Sequence, residues 1–274
     1  MHGVVPMNSI RFFAALLLAG AVSPPAVAQD AESDAMLRAI TGNAGAPSGR
    51  DVNYFEADPA ATGYLAVPEG EGPFPAVILI HEWNGLVERI KQTADAFAEQ
   101  GYIAFAADLY GGKTGSSREE NIALVQAARA DEDRIIANLD AAVDWVEANT
   151  PATGKAAAIG WCFGGGIALS YALGSDSHEG TAIFYGSLID DPEQMQHIHH
   201  EVYGTFAEND RGIPVDEVNA FVDAMREAGI ENDVHIYDDV AHGFWLHVER
   251  DPENNRPAAE HAWDRLKAYL GRVL

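Results

Sequence analysis

Short apolar runs alternate with amphipathic segments along most of the chain. A continuous apolar run predicts a strand that is buried on both faces, whereas apolar positions three or four residues apart predict a helix. The predicted strands are NYFEA (53–57), GYLAVP (63–68), AVILI (76–80), YIAFAAD (102–108), KAAAIGW (155–161), TAIFYG (181–186), VYGTFAE (202–208) and DVHIYD (233–238). The predicted helices cover residues 88–100, 117–129, 131–148, 168–173, 215–228 and 258–270.

This order of elements predicts the fold class. Strands that alternate with helices and are buried on both faces form a largely parallel sheet with helices on each side. We therefore predict an α/β protein with a mostly parallel central sheet and a single domain over residues 51–274. Residues 29–50 are small and polar and show no lasting period, so they are predicted to form a flexible N-terminal segment.

The first residues have the pattern of an export signal. Arg11 precedes an apolar run over residues 12–22, and the small residues Ala26-Val27-Ala28 follow. This pattern predicts a signal peptide over residues 1–28, cleavage near Ala28, and a periplasmic or secreted mature chain. The alternative is a retained membrane anchor, although the apolar run is short for a span of a bilayer.

Acidic residues far outnumber basic ones. The chain has 42 Asp and Glu against 17 Lys and Arg, which gives a formal net charge of −25. Nucleic acids and anionic membranes are bound by basic surfaces, so both are excluded as partners of the mature chain. We expect a monomer whose partner is a small molecule.

The sequence contains one cysteine, Cys162, which cannot form a disulfide within the chain. It lies in GWCFG (160–164), between a predicted strand and a predicted helix. In a nucleophile elbow the turn is so tight that the residues two before and two after the nucleophile, here Gly160 and Gly164, must be glycine. We therefore predict that Cys162 is the nucleophile of an α/β-hydrolase fold. The alternative is a structural glycine turn with a cysteine that only fills space.

A thiol nucleophile needs a base, and the base needs an orienting acid. In this fold the acid and then the histidine follow the nucleophile along the chain. Asp210 follows the strand VYGTFAE and His242 follows DVHIYD, so both are predicted to lie at the catalytic edge of the sheet. Glu208 is the alternative acid, but it lies nearer the body of its strand. His235 lies inside a strand and is predicted to be a packed or an edge histidine.

Residues around the nucleophile have predicted roles as well. The backbone N–H groups of Phe163 and Trp83 are the predicted oxyanion donors, because one follows the nucleophile and the other lies in the loop HEWNG (81–85). Glu82 in the same loop is predicted to lie near the thiol, the alternative being a solvated loop charge. The residues predicted to line the substrate pocket, or otherwise to pack in the core, are Tyr110, Tyr185 and Phe244.

The tract QHIHHE (196–201) gathers His197, His199, His200 and Glu201. Adjacent histidines on a short loop rarely converge on one ion without a distant ligand. We therefore predict no metal site in this tract.

Five motifs, in order, resemble a known family. The chain resembles the dienelactone hydrolase (carboxymethylenebutenolidase) family over residues 51–272. The motifs are HEWNG, ADLYGG, GWCFGG, ENDRGIP and AHGFW, and AAEHAWDRLKAYL is similar to the family's closing helix. The resemblance implies a triad of Cys162, Asp210 and His242, with Glu82 as the carboxylate that contacts the cysteine. It also implies that no metal and no organic cofactor is used.

These inferences predict a hydrolase of small esters or lactones that works through a thioester on Cys162. In the dienelactone enzymes an arginine that holds the substrate carboxylate stands four positions after the catalytic histidine, where this chain has Leu246. We therefore expect a substrate other than dienelactone, with Arg118 or Arg256 as candidate replacements for that arginine. A thiol-dependent acyltransferase or peptidase and a non-catalytic binding module on the same fold are the alternative functions.

Overall fold

The computed structural model describes residues 1–2 and 35–274. Its strands are β1 (Arg50–Asn53), β2 (Thr62–Ala66), β3 (Phe74–Ile80), β4 (Ile103–Ala107), β5 (Ala152–Trp161), β6 (Gly180–Phe184), β7 (Val202–Ala207) and β8 (Asn232–Tyr237). Its helices are α1 (residues 35–41), α2 (Glu88–Glu99), α3 (Arg118–Arg129), α4 (Glu132–Asn149), α5 (Phe163–Gly174), α6 (Pro192–Met195), α7 (Val215–Ala228) and α8 (Pro252–Val273). None of the helices in this described part of the chain is both long enough and apolar enough to span a bilayer. The predicted signal peptide, apart from residues 1–2, lies outside it.

The strands form one sheet in the order β1-β2-β4-β3-β5-β6-β7-β8. β2 pairs antiparallel with β1 and with β4, and the other neighbouring strands pair parallel. The prediction of an α/β fold with a mostly parallel sheet is confirmed. The carboxyl ends of the parallel strands share one edge of the sheet, where the loops after β3, β5, β7 and β8 meet.

Successive residues of the central strands face opposite sides of the sheet. On β3, Val77 and Leu79 belong to the cluster that contains α2 and α8, whereas Ile78 and Ile80 belong to the cluster that contains α4 and α5. All four side chains are fully buried. Burial on both faces explains why this strand is a continuous apolar run rather than an alternating one.

Two element boundaries differ from the prediction. β1 ends at Asn53, so the prediction of a strand over residues 53–57 was wrong. The hydroxyl of Tyr54 instead donates a hydrogen bond to Asn138 of α4 at 2.6 Å, a tertiary contact that sequence periodicity does not reveal. α8 begins at Pro252, several residues before the predicted start, because proline is tolerated in the first turn of a helix.

The segment before β1 is partly folded onto the domain. Residues 35–41 form α1, and its residues Met36, Ala39 and Ile40 are fully buried in the cluster that contains α2. The prediction of a flexible segment over residues 29–50 is therefore wrong for α1. Apolar residues at spacings of three and four were the local signal for this helix.

A buried histidine, His178, and a half-buried one, His200, share one threonine near the start of β6. His178 and His200 each contact the hydroxyl of Thr181 through Nε2, at 2.9 and 2.8 Å. Burial lowers the pKa of His178 to about 3 and that of His200 to about 4, and a neighbouring histidine adds to each shift. Both rings are therefore neutral in the folded protein at neutral pH.

We expect acid to destabilise the fold through these two histidines. In the unfolded chain they take up protons near the usual pKa of about 6.5, whereas the folded protein resists protonation. Their contribution to the free energy of unfolding is complete above that pH and is lost as the pH falls towards about 4 and then about 3. Thermal unfolding followed by circular dichroism between pH 7 and 4 measures the loss.

A His178→Gln variant is the control, because glutamine can hydrogen-bond to Thr181 but has no proton to take up in this range. Its melting temperature should fall less steeply with acid than that of the wild type. Parallel curves for the two proteins would contradict the assignment of acid sensitivity to His178.

Candidate active site

Cys162 occupies the turn between β5 and α5. Its φ is 56°, in the left-handed region that residues other than glycine rarely adopt. Its N–H donates to the carbonyl of Phe184 on the neighbouring strand β6 at 3.0 Å, which holds the turn against the sheet. The side chain of Cys162 is partly exposed.

Two glycines make this turn possible. A Cβ at Gly160 would lie 1.9 Å from the carbonyl oxygen of Gly164, and a Cβ at Gly164 would lie 2.2 Å from the carbonyl oxygen of Ile80 on β3. Real Cβ atoms do not approach backbone oxygens so closely, so neither position admits a side chain. The steric role that the sequence motif predicts for these glycines matches this geometry.

His242 and Asp210 lie side by side beyond the ends of β8 and β7. His242 Nδ1 donates a hydrogen bond to Asp210 Oδ2 at 2.6 Å. The other oxygen of Asp210 accepts hydrogen bonds from the N–H groups of Gly212 and Ile213, at 2.8 and 3.2 Å. The Asp210 side chain is 2% exposed and that of His242 is 39% exposed, so the acid is buried behind a histidine that faces solvent.

The protonation of both groups is shifted by this contact. Burial opposes protonation of His242, but the hydrogen bond to Asp210 and the electrostatic interactions with Cys162 and Asp210 raise the His242 pKa to about 10. Burial alone would raise the pKa of Asp210, but His242 and the two backbone N–H groups lower it below its usual value. The pair therefore favours an ionised carboxylate and an imidazole that readily accepts a proton.

An aromatic layer supports the nucleophile turn and the histidine loop from below. Trp161, which precedes Cys162, stacks on Trp245 with ring centroids 5.7 Å apart, and Phe184 packs on Trp245 at 4.9 Å. The ring of Tyr185 lies 5.0 Å from that of His242. Because Trp161, Phe184, Tyr185 and Trp245 are fully buried, this layer fixes the relative position of the two loops.

The two predicted oxyanion donors lie on turns at the same edge. Gly165 and Gly166 both donate to the carbonyl of Cys162, at 3.1 and 3.3 Å, whereas Phe163 begins α5, where the N–H has no acceptor within the helix. Trp83 is in the turn closed by the hydrogen bond from Gly85 N–H to the Glu82 carbonyl at 3.2 Å. The backbone N–H groups of Phe163 and Trp83 therefore donate to no hydrogen bond of a helix or a strand.

Glu82 has a partner that the sequence did not predict. Its side chain is buried and accepts a hydrogen bond from His247 Nε2 at 2.7 Å. Among the described residues, no hydrogen bond joins this carboxylate to Cys162, and a contact with the thiol stays a prediction. Burial raises the pKa of Tyr185, and Glu82 and Cys162 both add to that shift.

An open cleft of about 910 Å³ adjoins Asp210 and His242. Its lining residues are Glu208, Asn209, Asp210, Arg211, Gly212, Ala241 and His242. Of the residues predicted to line a pocket, Tyr185 and Phe244 are at most 1% exposed and belong to the core beneath the site. Tyr110 is also buried, and its hydroxyl donates to the Trp83 carbonyl at 3.2 Å.

Sequence reasoning missed one cation beside the nucleophile. Arg129, the last residue of α3, donates to the hydroxyl of Ser187 at 3.3 Å, and its guanidinium lies 5.9 Å from the ring of Phe163. None of the ion pairs between residues of the described ranges includes Arg129. Helical periodicity gave no signal for this position, because the contact is made across the fold.

The arginines proposed as replacements are placed differently. Arg256 pairs with Glu260 on an exposed face of α8 at 3.8 Å. Arg118 is the first residue of α3, at the end opposite to Arg129. Neither has a contact with the nucleophile turn among the described residues.

None of the remaining candidates forms a hydrogen bond with His242 or Cys162 among the described residues, although Glu208 lines the cleft. Glu208 accepts a hydrogen bond from Asp239 N–H at 3.2 Å, and His235 packs against Tyr237 within β8. In the histidine tract, His200 faces Thr181 and His199 lies 3.9 Å from Asp176. No group of three or more His, Cys, Asp or Glu side chains suited to an ion is present within residues 1–2 and 35–274.

Known proteins share both the sequence pattern and the fold. The chain is 28% identical to a Methylorubrum extorquens protein named "putative carboxymethylenebutenolidase" over 220 residues, which cover 76% of this chain and 75% of that protein. It is also 28% identical to protein usf of Aquifex pyrophilus over 232 residues, 82% of this chain and 99% of that protein.

A solved structure has the same architecture. The dienelactone hydrolase-like promiscuous phosphotriesterase P91, from metagenomic libraries, superposes with a TM-score of 0.72 at 24% identity, over 84% of this chain and 99% of P91. This likeness confirms the α/β-hydrolase fold.

The family model of the dienelactone hydrolase family matches residues 61–274, which is most of the chain. The strand order, the elbow at Cys162 and the similarity to these relatives agree with that match. This chain belongs to the dienelactone hydrolase family and is a hydrolase of the ester and lactone type.

Proposed function

We propose that this hydrolase cleaves small esters or lactones with Cys162 as nucleophile, His242 as base and Asp210 as the acid that orients the base. The observation that carries the proposal is that His242 interacts with Asp210 through Nδ1 and with the only cysteine of the chain. Because Asp210 takes Nδ1, Nε2 is the nitrogen left to exchange a proton with the thiol.

The first half of the reaction forms a thioester. With the thiol proton held on His242 Nε2, as the raised His242 pKa favours, the sulfur of Cys162 attacks the carbonyl carbon and the carbonyl electron pair moves to oxygen. The N–H groups of Phe163 and Trp83 stabilise this oxyanion. When the tetrahedral intermediate collapses, the C–O bond breaks and His242 gives the proton to the departing alkoxide, which in a lactone stays attached to the acyl group.

The second half releases the acid. Water gives a proton to His242 and attacks the thioester carbon, a second oxyanion forms, and the C–S bond breaks as the sulfur regains its proton. The open cleft beside His242 supports this step, because water can reach the face of the imidazole that the acyl group leaves free.

Arg129 supports a substrate that carries an anionic group. Among the described residues Arg129 has no carboxylate partner, and its guanidinium donates only to the neutral hydroxyl of Ser187. It lies beside Phe163, one residue from the nucleophile, and a guanidinium binds a carboxylate through two parallel hydrogen bonds. We propose that Arg129 holds the substrate carboxylate, because Leu246, at the position of the family's arginine, has no charge.

Removing the thiol or the base should abolish turnover. We expect Cys162→Ala and His242→Ala to lower kcat/KM for chromogenic esters and for lactones by about 1,000-fold or more, as for the loss of a nucleophile or base in comparable triads. Wild-type protein should also lose activity on alkylation by iodoacetamide, and mass spectrometry should detect an acyl group on Cys162.

His235→Ala is the matched control for the histidine variant, because His235 lies in β8 outside the site. It should keep nearly wild-type kcat/KM. Equal turnover by wild type and Cys162→Ala would refute the proposed mechanism. An absence of turnover in the wild type as well as in the variants would favour a binding module.

Asp210→Asn should uncouple the base from its acid. The variant loses the carboxylate that raises the His242 pKa, so that pKa should fall from about 10 towards its usual value, and kcat/KM should fall by about 100-fold or more. The stabilising charge pair is fully present below the unfolded pKa of about 6.5 and is lost as the pH rises through about 10 in the wild type. Asp210→Asn lacks this charge pair, so its stabilising contribution should be absent and His242 should lose its proton at lower pH.

Nitrogen-15 NMR of the imidazole signals as a function of pH measures this shift directly. Asp238→Asn is the control, because it removes an exposed carboxylate from the loop after β8 without touching His242. An unchanged His242 titration in Asp210→Asn would contradict the assigned pair.

Arg129→Gln should change substrate preference rather than chemistry. We expect KM to rise about tenfold or more for esters that carry a free carboxylate, because a charge-assisted contact is lost, and to stay nearly constant for neutral esters of the same size. Arg118→Gln, at the other end of α3, is the control. Equal changes in KM for charged and neutral esters would exclude a role for Arg129 in binding an anion.

A further inference from the structure

One arginine joins the N-terminal helix to the loop that carries His242. Arg89, in the first turn of α2, donates to the carbonyl of Ile40 at the end of α1 at 2.8 Å and to the carbonyl of Leu246 at 2.6 Å. It also forms an ion pair with Glu249 at 3.1 Å. Its side chain is only 18% exposed, so a single guanidinium bridges two segments far apart in sequence.

The backbone of Leu246 is held from both sides. Its carbonyl accepts from Arg89, and its N–H donates to the hydroxyl of the fully buried Tyr185 at 3.3 Å. His242 lies four residues earlier on the same loop, and its ring packs on Tyr185. Loosening the Arg89 contact would therefore free the loop on the side opposite to the aromatic layer.

The same arginine reaches the carboxylate near the thiol through two intermediates. Glu249, the ion-pair partner of Arg89, lies 3.6 Å from His247 Nδ1, and His247 Nε2 donates to Glu82 at 2.7 Å. The network from Arg89 to Glu82 is continuous and mostly buried. A charge network of this kind holds each member in one orientation only while all its contacts are made.

We propose that Arg89 is a positioning residue, through which α1 and Gly42 hold the His242 loop and Glu82 in their active arrangement. The helix α1 lies before residue 61, where the match to the family begins, so this support comes from outside the matched region. The inference rests on the proposed roles of Cys162 and His242.

Isolated surface ion pairs contribute little to structure, but this contact is different. Nη1 of Arg89 contacts both backbone carbonyls and one oxygen of Glu249, and Nη2 donates to the other oxygen of Glu249. The single nitrogen of a lysine cannot make all four contacts at once. Arg89→Lys therefore keeps the positive charge but loses the full set of hydrogen bonds that the guanidinium makes. We expect kcat to fall about tenfold with KM within about twofold of the wild type, because binding groups are left in place.

A second variant disturbs Arg89 from the side of α1. Gly42 has φ 75°, and a Cβ there would lie 2.6 Å from Arg89 Nη2, so Gly42→Ala displaces the guanidinium. Gly229, at the end of α7, has φ 78° and has no atom within 4 Å of an added Cβ. Gly229→Ala is thus a matched control that introduces the same backbone strain without the collision.

The readouts are kcat, KM and the rate at which iodoacetamide alkylates the protein, which reports on Cys162 alone because the chain has one cysteine. Arg89→Lys and Gly42→Ala should slow alkylation at pH 7 by about threefold or more, since the base moves away from the thiol. Gly229→Ala should stay within about twofold of the wild type in kcat and in alkylation rate. Arg272→Lys should do the same, because it alters only the two-point contact that Arg272 of α8 makes with Glu201.

Equal kcat and alkylation rates in Gly42→Ala and Gly229→Ala, or an unchanged kcat in Arg89→Lys, would overturn the inference. Thermal melting separates these effects from loss of folded protein, since both glycine variants should melt at similarly lowered temperatures. The test with Cys162→Ala decides the proposed function separately. If the positioning role fails while Cys162→Ala is inactive, the triad stands without it.

Discussion

The close approach of α5 to the ends of β3 and β5 is the constraint on which the rest of the structure depends. Hydrogen atoms at Gly160 and Gly164 let the backbone of the helix touch the backbone of both strands. The chain must then reverse within one residue, which puts Cys162 at a positive φ and directs the free N–H groups of the helix toward the same point. The strain at Cys162 is offset by its hydrogen bond to β6 and by the buried aromatic layer under the turn.

Two histidine–carboxylate contacts lie at this edge of the sheet, and they differ in environment. His242 is partly exposed and faces the cleft, whereas His247 is largely buried and turned toward Glu82. Both histidines belong to the loop after β8, so one backbone segment determines the positions of both histidine–carboxylate contacts. A rigid loop is therefore a condition for the arrangement, and the contacts of Leu246 provide that rigidity.

The sequence predicted the fold class and the residues at the strand ends, because both follow from local pattern. Apolar runs mark buried strands, and the elbow glycines mark the one place where backbone touches backbone. The order of acid and histidine after the nucleophile then sufficed to select Asp210 and His242, which the structure brings to 2.6 Å.

What the sequence did not predict depends on contacts between distant segments. Glu82 and His247 are 165 residues apart, and Arg129 meets Ser187 across 58 residues, so no periodicity links them. The shift of β1 has a similar cause, since Tyr54 leaves the sheet to reach α4. For α1 the local signal existed, but it was short and lay in a segment rich in small residues.

The strand order has a consequence for the time at which the sulfur becomes reactive. β5 supplies Cys162 near the middle of the chain, whereas Asp210 and His242 follow β7 and β8, the last strands to be synthesised and the outermost on their side of the sheet. Parallel strands pair only after long crossovers have closed, so these contacts belong to the slow part of folding. Under the proposed mechanism, a partly folded chain carries the thiol of Cys162 without its base. The sulfur then gains its base only through the folding step that completes the sheet.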